Sequence, residues 1–144
     1  MKAIQLGILF FIFVVGSSFS DEIVIEMLNK REDGKRMVYS QDVTNIELGD
    51  TIKWIPKDGG HNVEFLAGPS GFELPPKSYI NREVSLKFDI AGIYLYVCSP
   101  HSLMGMIGLV VVGGDTSNKE TISVASKDIG GKGTRKLKAL LKDL

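Results

Sequence analysis

From Glu22 to Val112 apolar side chains recur at every second position in short runs, and this period constrains the fold more than any other feature. Ile23, Ile25 and Met27 alternate with Glu22, Val24 and Glu26. Val84, Leu86 and Phe88 alternate with Ser85, Lys87 and Asp89, and Ile52 and Trp54 with Thr51 and Lys53. A period of two belongs to a strand with one face on a core. Turn formers separate the runs: Asp33-Gly34, Gly49-Asp50, Asp58-Gly59-Gly60, Gly68-Pro69-Ser70-Gly71 and Ala91-Gly92. Seven to eight short strands punctuated in this way predict an all-β fold over residues 21–114, a Greek-key antiparallel β-sandwich.

The pattern changes after Gly113-Gly114. Ser117 with Glu120 reads as a capping box, and Ile122, Ala125 and Ile129 then share a helix face. Gly130-Gly131-Lys132-Gly133 is expected to break that helix, with Thr134 capping a second. Leu137, Leu140, Leu141 and Leu144 form its apolar stripe, opposite Arg135, Lys136, Lys138 and Lys142. Residues 115–144 are therefore predicted to be a C-terminal two-helix extension packed on the sandwich, its lysines solvated.

Residues 1–20 read as a signal peptide. Lys2 is the positive end, Ile4 to Val15 is a 12-residue run with only Gln5 polar, and Ser18-Phe19-Ser20 offers small residues for cleavage. The run is shorter than the ~20 residues a spanning helix needs, so the mature chain is expected in the periplasm without stable membrane insertion. Without Lys2, 16 basic side chains face 17 acidic ones, which argues against a nucleic-acid binder.

Cys98 is the single cysteine, so no internal disulfide forms in a chain destined for an oxidising compartment. His61 and His101 are the only histidines, and one lies three residues beyond the thiol. A strand running into Cys98 points Tyr94, Tyr96 and Cys98 to one side, and Ser99-Pro100 turns His101 back beside the sulfur. Met106 follows on the same loop, with Met104 as a competitor. Thiolate, imidazole and thioether together suit copper cycling between two oxidation states. Zinc favours a closed set of four, for which there is no second Cys or third His. A binuclear copper centre needs two thiolates. Asn62, beside His61, is expected to tie the two ligand loops together and to donate toward the Cys98 sulfur.

Cys98-Ser-Pro-His101, the following Met104-Gly-Met106 and the Val110-Val-Val112 strand together resemble the type-1 blue copper proteins, the cupredoxins. The similarity is nearer to pseudoazurins than to plastocyanins. It extends through Ile25-Glu-Met-Leu-Asn-Lys30, Gly59-Gly-His-Asn-Val-Glu64, Pro76-Lys-Ser78, Ile80-Asn81 and the tail after Gly114. Ser102-Leu103 departs from the aromatic and glycine common in that family. The resemblance implies His61, Cys98 and His101 as equatorial ligands of one copper ion and Met106 as the weak axial one. It also implies a monomeric, non-enzymatic electron carrier whose partners are copper nitrite reductase, nitrous-oxide reductase or a c-type cytochrome. These would dock near His101, Pro100, Leu103 and Met104, ringed by Lys30, Lys57 and Lys77. Four protein ligands leave no place for a substrate, and no histidine remains for a second copper. A copper storage or delivery protein is the competing function, and a metal-free binding module a weaker one.

Overall fold

Eight strands form where the alternation puts apolar residues: β1 (Glu22–Lys30), β2 (Arg36–Tyr39), β3 (Val43–Ile46), β4 (Thr51–Pro56), β5 (Glu64–Ala67), β6 (Val84–Lys87), β7 (Gly92–Val97) and β8 (Ile107–Val112). The computed structural model describes residues 20–144, so the expected signal segment, apart from Ser20, lies outside the described residues. No helix among the described residues is long and apolar enough to cross a membrane. One sheet has the order β2-β1-β4-β6 and the other β3-β8-β7-β5.

Each sheet contains one parallel pair. β1 runs parallel to β4 with Ile25 opposite Trp54, and β3 runs parallel to β8 with Thr44 opposite Val110. The remaining pairings are antiparallel. The sandwich is thus built of two mixed sheets, where alternation alone suggests antiparallel pairing throughout. The reason is connectivity: the chain leaves one sheet after β2, places β3 in the other, and returns for β4. Alternation reports which face of a strand is buried and carries no information about its neighbour.

Ile25, Met27, Trp54, Phe65, Phe88, Tyr94, Tyr96 and Val110 fill the space between the sheets, and Cys98 and Met106 lie at one end of that core. Fully burying a large apolar side chain contributes about 1.5–3 kcal/mol. Trp54 meets Phe65 and Tyr96 edge-on at ring separations of 5.7 and 5.2 Å, the arrangement ring quadrupoles favour.

β7 and β8 are buried on both faces. Their outward residues Ile93, Leu95, Val97, Ile107, Leu109 and Val111 pack under Ile122, Ile129, Leu137 and Leu141. These come from α1 (Lys119–Ala125), α2 (Gly131–Asp143) and the turn between them. The start of α1 differs from the capping-box expectation, because Ser117 precedes a helix that begins at Lys119. Asn118 occupies the cap position, but its side chain is spent on the sheet. Its Oδ1 accepts from the Ile93 N–H and its Nδ2 donates to the Ile93 carbonyl, both at 2.8 Å.

The glycine run does separate the two helices, but most of it belongs to the second. Gly130 caps α2 at φ 77°, while Gly131 and Gly133 lie inside its first turn, against the loop that follows Cys98. A Cβ at Gly131 would sit 2.7 Å from the Leu103 carbonyl oxygen, and one at Gly133 would sit 2.4 Å from that of Ser102. Glycine is needed here for close approach. Thr134, expected as the cap, is within the helix and donates from Oγ1 to the Ser126 carbonyl at 2.8 Å.

Candidate metal centre

Cys98 leaves β7 with extended backbone, and a short 3-10 segment, Ser99–Met104, follows with Pro100 in its first turn. The His101 N–H donates to the Cys98 carbonyl at 3.0 Å, and the Met106 N–H to the His101 carbonyl at 3.1 Å. The Cys98 N–H donates to the Met106 carbonyl at 2.9 Å, closing the loop on itself. Gly105, at φ 103°, makes the reversal that returns the chain into β8.

His61 enters from the β4–β5 connection. Gly60 adopts φ 93° and its N–H donates to Asn81 Oδ1 at 2.7 Å, while the Asn81 N–H returns a bond to the His61 carbonyl at 2.9 Å. The His61 side chain is fully buried, and its Nε2 lies 2.9 Å from Asn29 Oδ1. An amide oxygen only accepts, so Nε2 carries the proton and Nδ1 presents a bare lone pair. This is how an outer partner fixes a ligand tautomer.

The three donors converge. His61 Nδ1 is 3.2 Å from His101 Nδ1, and Cys98 Sγ is 3.7 Å from the former and 3.4 Å from the latter. A trigonal ion with bonds of about 2.0 Å to imidazole and about 2.3 Å to thiolate, the lengths zinc shows, would space its donors about 3.5–3.7 Å apart. The cluster matches that triangle to within a few tenths of an ångström. Burial holds the His61 imidazole below its usual pKa, assisted by the neighbouring His101, so the neutral ligand form is favoured. Burial pushes the Cys98 thiol up against the opposing pull of the Asn62 and His101 backbone N–H groups. A bound cation reverses that balance, because a coordinating thiol loses its proton.

Met106 is fully buried in the inter-sheet core that also holds Cys98, whereas Met104 is 51% exposed beside Leu103 at 63%. Of the two thioethers, only Met106 is on the inner side of the loop. Asn62 does tie the loops together: its Oδ1 accepts from the Ser99 N–H at 2.8 Å, and its Nδ2 donates to Ser99 Oγ at 3.0 Å and to the Ser78 carbonyl at 3.2 Å. That leaves the side chain committed to Ser99 and Ser78, and it is the Asn62 backbone N–H that favours the thiolate.

The family described as copper binding proteins, plastocyanin/azurin family, matches residues 25–113, and the chain belongs to it. Within that class it is pseudoazurin-like, a type-1 copper protein. It is 41% identical over 103 residues to the pseudoazurin of Methylorubrum extorquens, covering 70% of this chain and 68% of the relative. It is 40% identical over 103 residues to that of Paracoccus pantotrophus, covering 70% of each. The crystal structure of native pseudoazurin from Hyphomicrobium denitrificans superposes with a TM-score of 0.74 at 31% identity, covering 85% of this chain and 98% of that one.

The lysines singled out from sequence differ in state. Lys30 and Lys77 are exposed, while Lys57 Nζ lies 2.7 Å from Glu26 Oε1, which offsets its charge. Several residues around the centre were given no role from the sequence. Asn29 and Asn81 hold the His61 loop, and the Tyr39 hydroxyl donates to the Asn62 carbonyl at 2.9 Å. Ser99 Oγ donates to Glu64. Lys136, expected to be solvated, is only 19% exposed at the side chain and ion-paired to Asp42 at 2.7 Å.

Proposed function

We propose that the chain is a periplasmic one-electron carrier in which His61, Cys98 and His101 are the equatorial copper ligands and Met106 the axial one. The observation that carries this reading is the triangle of donors, 3.2–3.7 Å apart, two of them on buried residues, at the end of the core that also holds the buried Met106. Copper supplies a one-electron couple that a soft, mixed donor set accommodates in both oxidation states. The residues do the rest. Asn29 orients His61, Asn62 locks the His61 loop to Ser99, and the Cys98–Met106 backbone bonds hold the second loop. A frame prepared in this way needs little rearrangement when charge changes.

The donor count favours a carrier over an enzyme, since all four side chains are committed and no substrate position remains. His101 is half-buried, with Leu103 and Met104 exposed on its own loop, so it offers the edge through which a partner is reached. An apolar patch flanked by Lys30 and Lys77 suits a weak, fast encounter with an acidic redox protein such as a copper nitrite reductase, a nitrous-oxide reductase or a c-type cytochrome. Export is supported by the apolar run over residues 4–15.

The test begins with periplasmic protein. It should start at Asp21 by mass spectrometry, hold one copper per chain, and show an intense visible band when oxidised. Stopped-flow mixing with a reduced c-type cytochrome should bleach that band in one exponential step. A colourless copper-loaded protein, or one that takes up no electron, would refute the carrier. Rapid exchange of the metal with a chelator would point to storage or delivery instead.

A further inference from the structure

Lys136 turns inward from α2 and ends against the ligand loop. Its Nζ donates to Asp42 Oδ1 at 2.7 Å, to the Ile107 carbonyl at 3.1 Å and to the Gly105 carbonyl at 3.2 Å. Three acceptors match the three protons of an ammonium. The two carbonyls belong to the residues on either side of Met106. Between them the Ile107 N–H donates back to the Gly105 carbonyl at 2.9 Å, a one-residue turn with Met106 at its centre. Gly105 beside it, at φ 103°, has no side chain to restrain it.

We propose that Lys136 is a positioning residue for the axial ligand: its ammonium pins the carbonyls of the two residues flanking Met106 and so sets how closely the thioether approaches Cys98, His61 and His101. This rests on the ligand set proposed above. The anchor behind the ammonium is stiff. Asp42 is gripped by Arg31, Nη1 to Oδ1 at 3.1 Å and Nη2 to Oδ2 at 3.2 Å, and Arg31 also donates to the Tyr39 carbonyl at 3.1 Å. The contact therefore runs from the Met106 turn through α2 to the β1–β2 hairpin. A buried ion pair seldom adds net stability over a well-packed apolar pair, so its worth here is geometric. Gly131 and Gly133 serve the same end by letting α2 approach the loop closely enough for Lys136 to reach it.

The copper-loaded variants Lys136→Met and Lys136→Gln test this, with Lys138→Met, exposed on the opposite side of the same helix, as control. Reduction potential, visible spectrum and electron paramagnetic resonance are compared with wild type. Lys136→Met should shift the potential and also change the relative intensity of the visible bands and the symmetry of the resonance signal. Lys136→Gln, which retains a donor, should lie between the two, and Lys138→Met should match wild type. Removing a nearby charge moves the potential without altering ligand geometry. Spectra of Lys136→Met that superimpose on wild type would therefore overturn the proposal, whatever the potential or stability does. Should Lys136→Met fail to fold, Lys136→Gln and Asp42→Asn are judged by the same spectra. Met106→Gln separates the two levels. If it alters the spectra while the Lys136 variants do not, the positioning role fails and the ligand set stands; if neither does, the ligand set fails.

Discussion

Replacing Gly133 by alanine sets two well-characterised effects against each other at the seat of α2. Gly133 is buried in the first turn of the helix with ordinary backbone, so no left-handed conformation is at stake. On a helix free to adjust, alanine is the better former by about 1 kcal/mol. Here the added Cβ would lie 2.3 Å from Ile129 Cγ2 and 2.4 Å from the Ser102 carbonyl oxygen. The isoleucine can rotate. The carbonyl cannot, because it belongs to the loop that carries His101 and itself accepts the Gly105 N–H at 3.0 Å. Overpacking of this kind costs about 1–3 kcal/mol, and a backbone obstacle puts it at the upper end. Subtracting the propensity gain leaves a net loss of about 2 kcal/mol, close to a 30-fold change in the unfolding constant. Urea unfolding of the metal-free variant, followed by fluorescence of the one tryptophan, fully buried Trp54, measures it. A Gly133→Ala protein as stable as wild type, or more stable, would refute a tight seat between helix and ligand loop.

Cys98→Ser should remove the visible band and leave a folded β-sandwich by circular dichroism, since serine fits where the thiol does. Met106→Gln should change the spectrum and the reduction potential, whereas exposed Met104→Gln should alter only transfer rates to a partner. Lys77→Glu should slow association with an acidic partner at low salt, and the deficit should shrink as salt screens over a Debye length of ~8 Å at physiological ionic strength. Asp42 supplies a pH dependence. Burial raises its pKa, but hydrogen bonds from Arg31 and Lys136 outweigh that and hold it below the usual 3.8. The unfolded chain then binds its proton first, so the stability Asp42 contributes is present above pH 3.8 and is lost as pH falls through the folded value. Acid titration of metal-free Asp42→Asn should show a shallower loss than wild type.

The strands and the convergence of His61, Cys98 and His101 were legible because each leaves a one-dimensional trace: a period of two, or a rare residue type at short spacing. The parallel pairing of β1 with β4 left none, since it follows from how connections cross between sheets. Gly131 and Gly133 read as a break because glycine usually punctuates, and their purpose appears only when the Ser102 and Leu103 carbonyls are in place. Lys136 was read as solvated because lysine usually is, yet at 3.6 residues per turn it falls beside Leu140 at the edge of the apolar stripe, away from Lys138 and Lys142. What that edge position faces, Asp42, is 94 residues earlier and leaves no local trace. Asn62 was found by adjacency to His61, yet which of its groups favours the thiolate depended on Ser99 and Ser78 claiming the side chain.

The double burial of β7 and β8 imposes an order of events on a growing chain. Once these strands have paired, the inter-sheet core can close, but Ile93, Leu95, Val97, Ile107, Leu109 and Val111 still present an apolar strip to water. The residues that cover it, Ile122 through Leu141, are synthesised afterwards. A chain held at that stage has a finished interior and an adhesive exterior, and such exposed apolar surface is prone to aggregation. Covering the strip takes both helices and the turn between them, and the second helix also braces the loop between Cys98 and Met106, so seating α2 serves solubility and the ligand frame together.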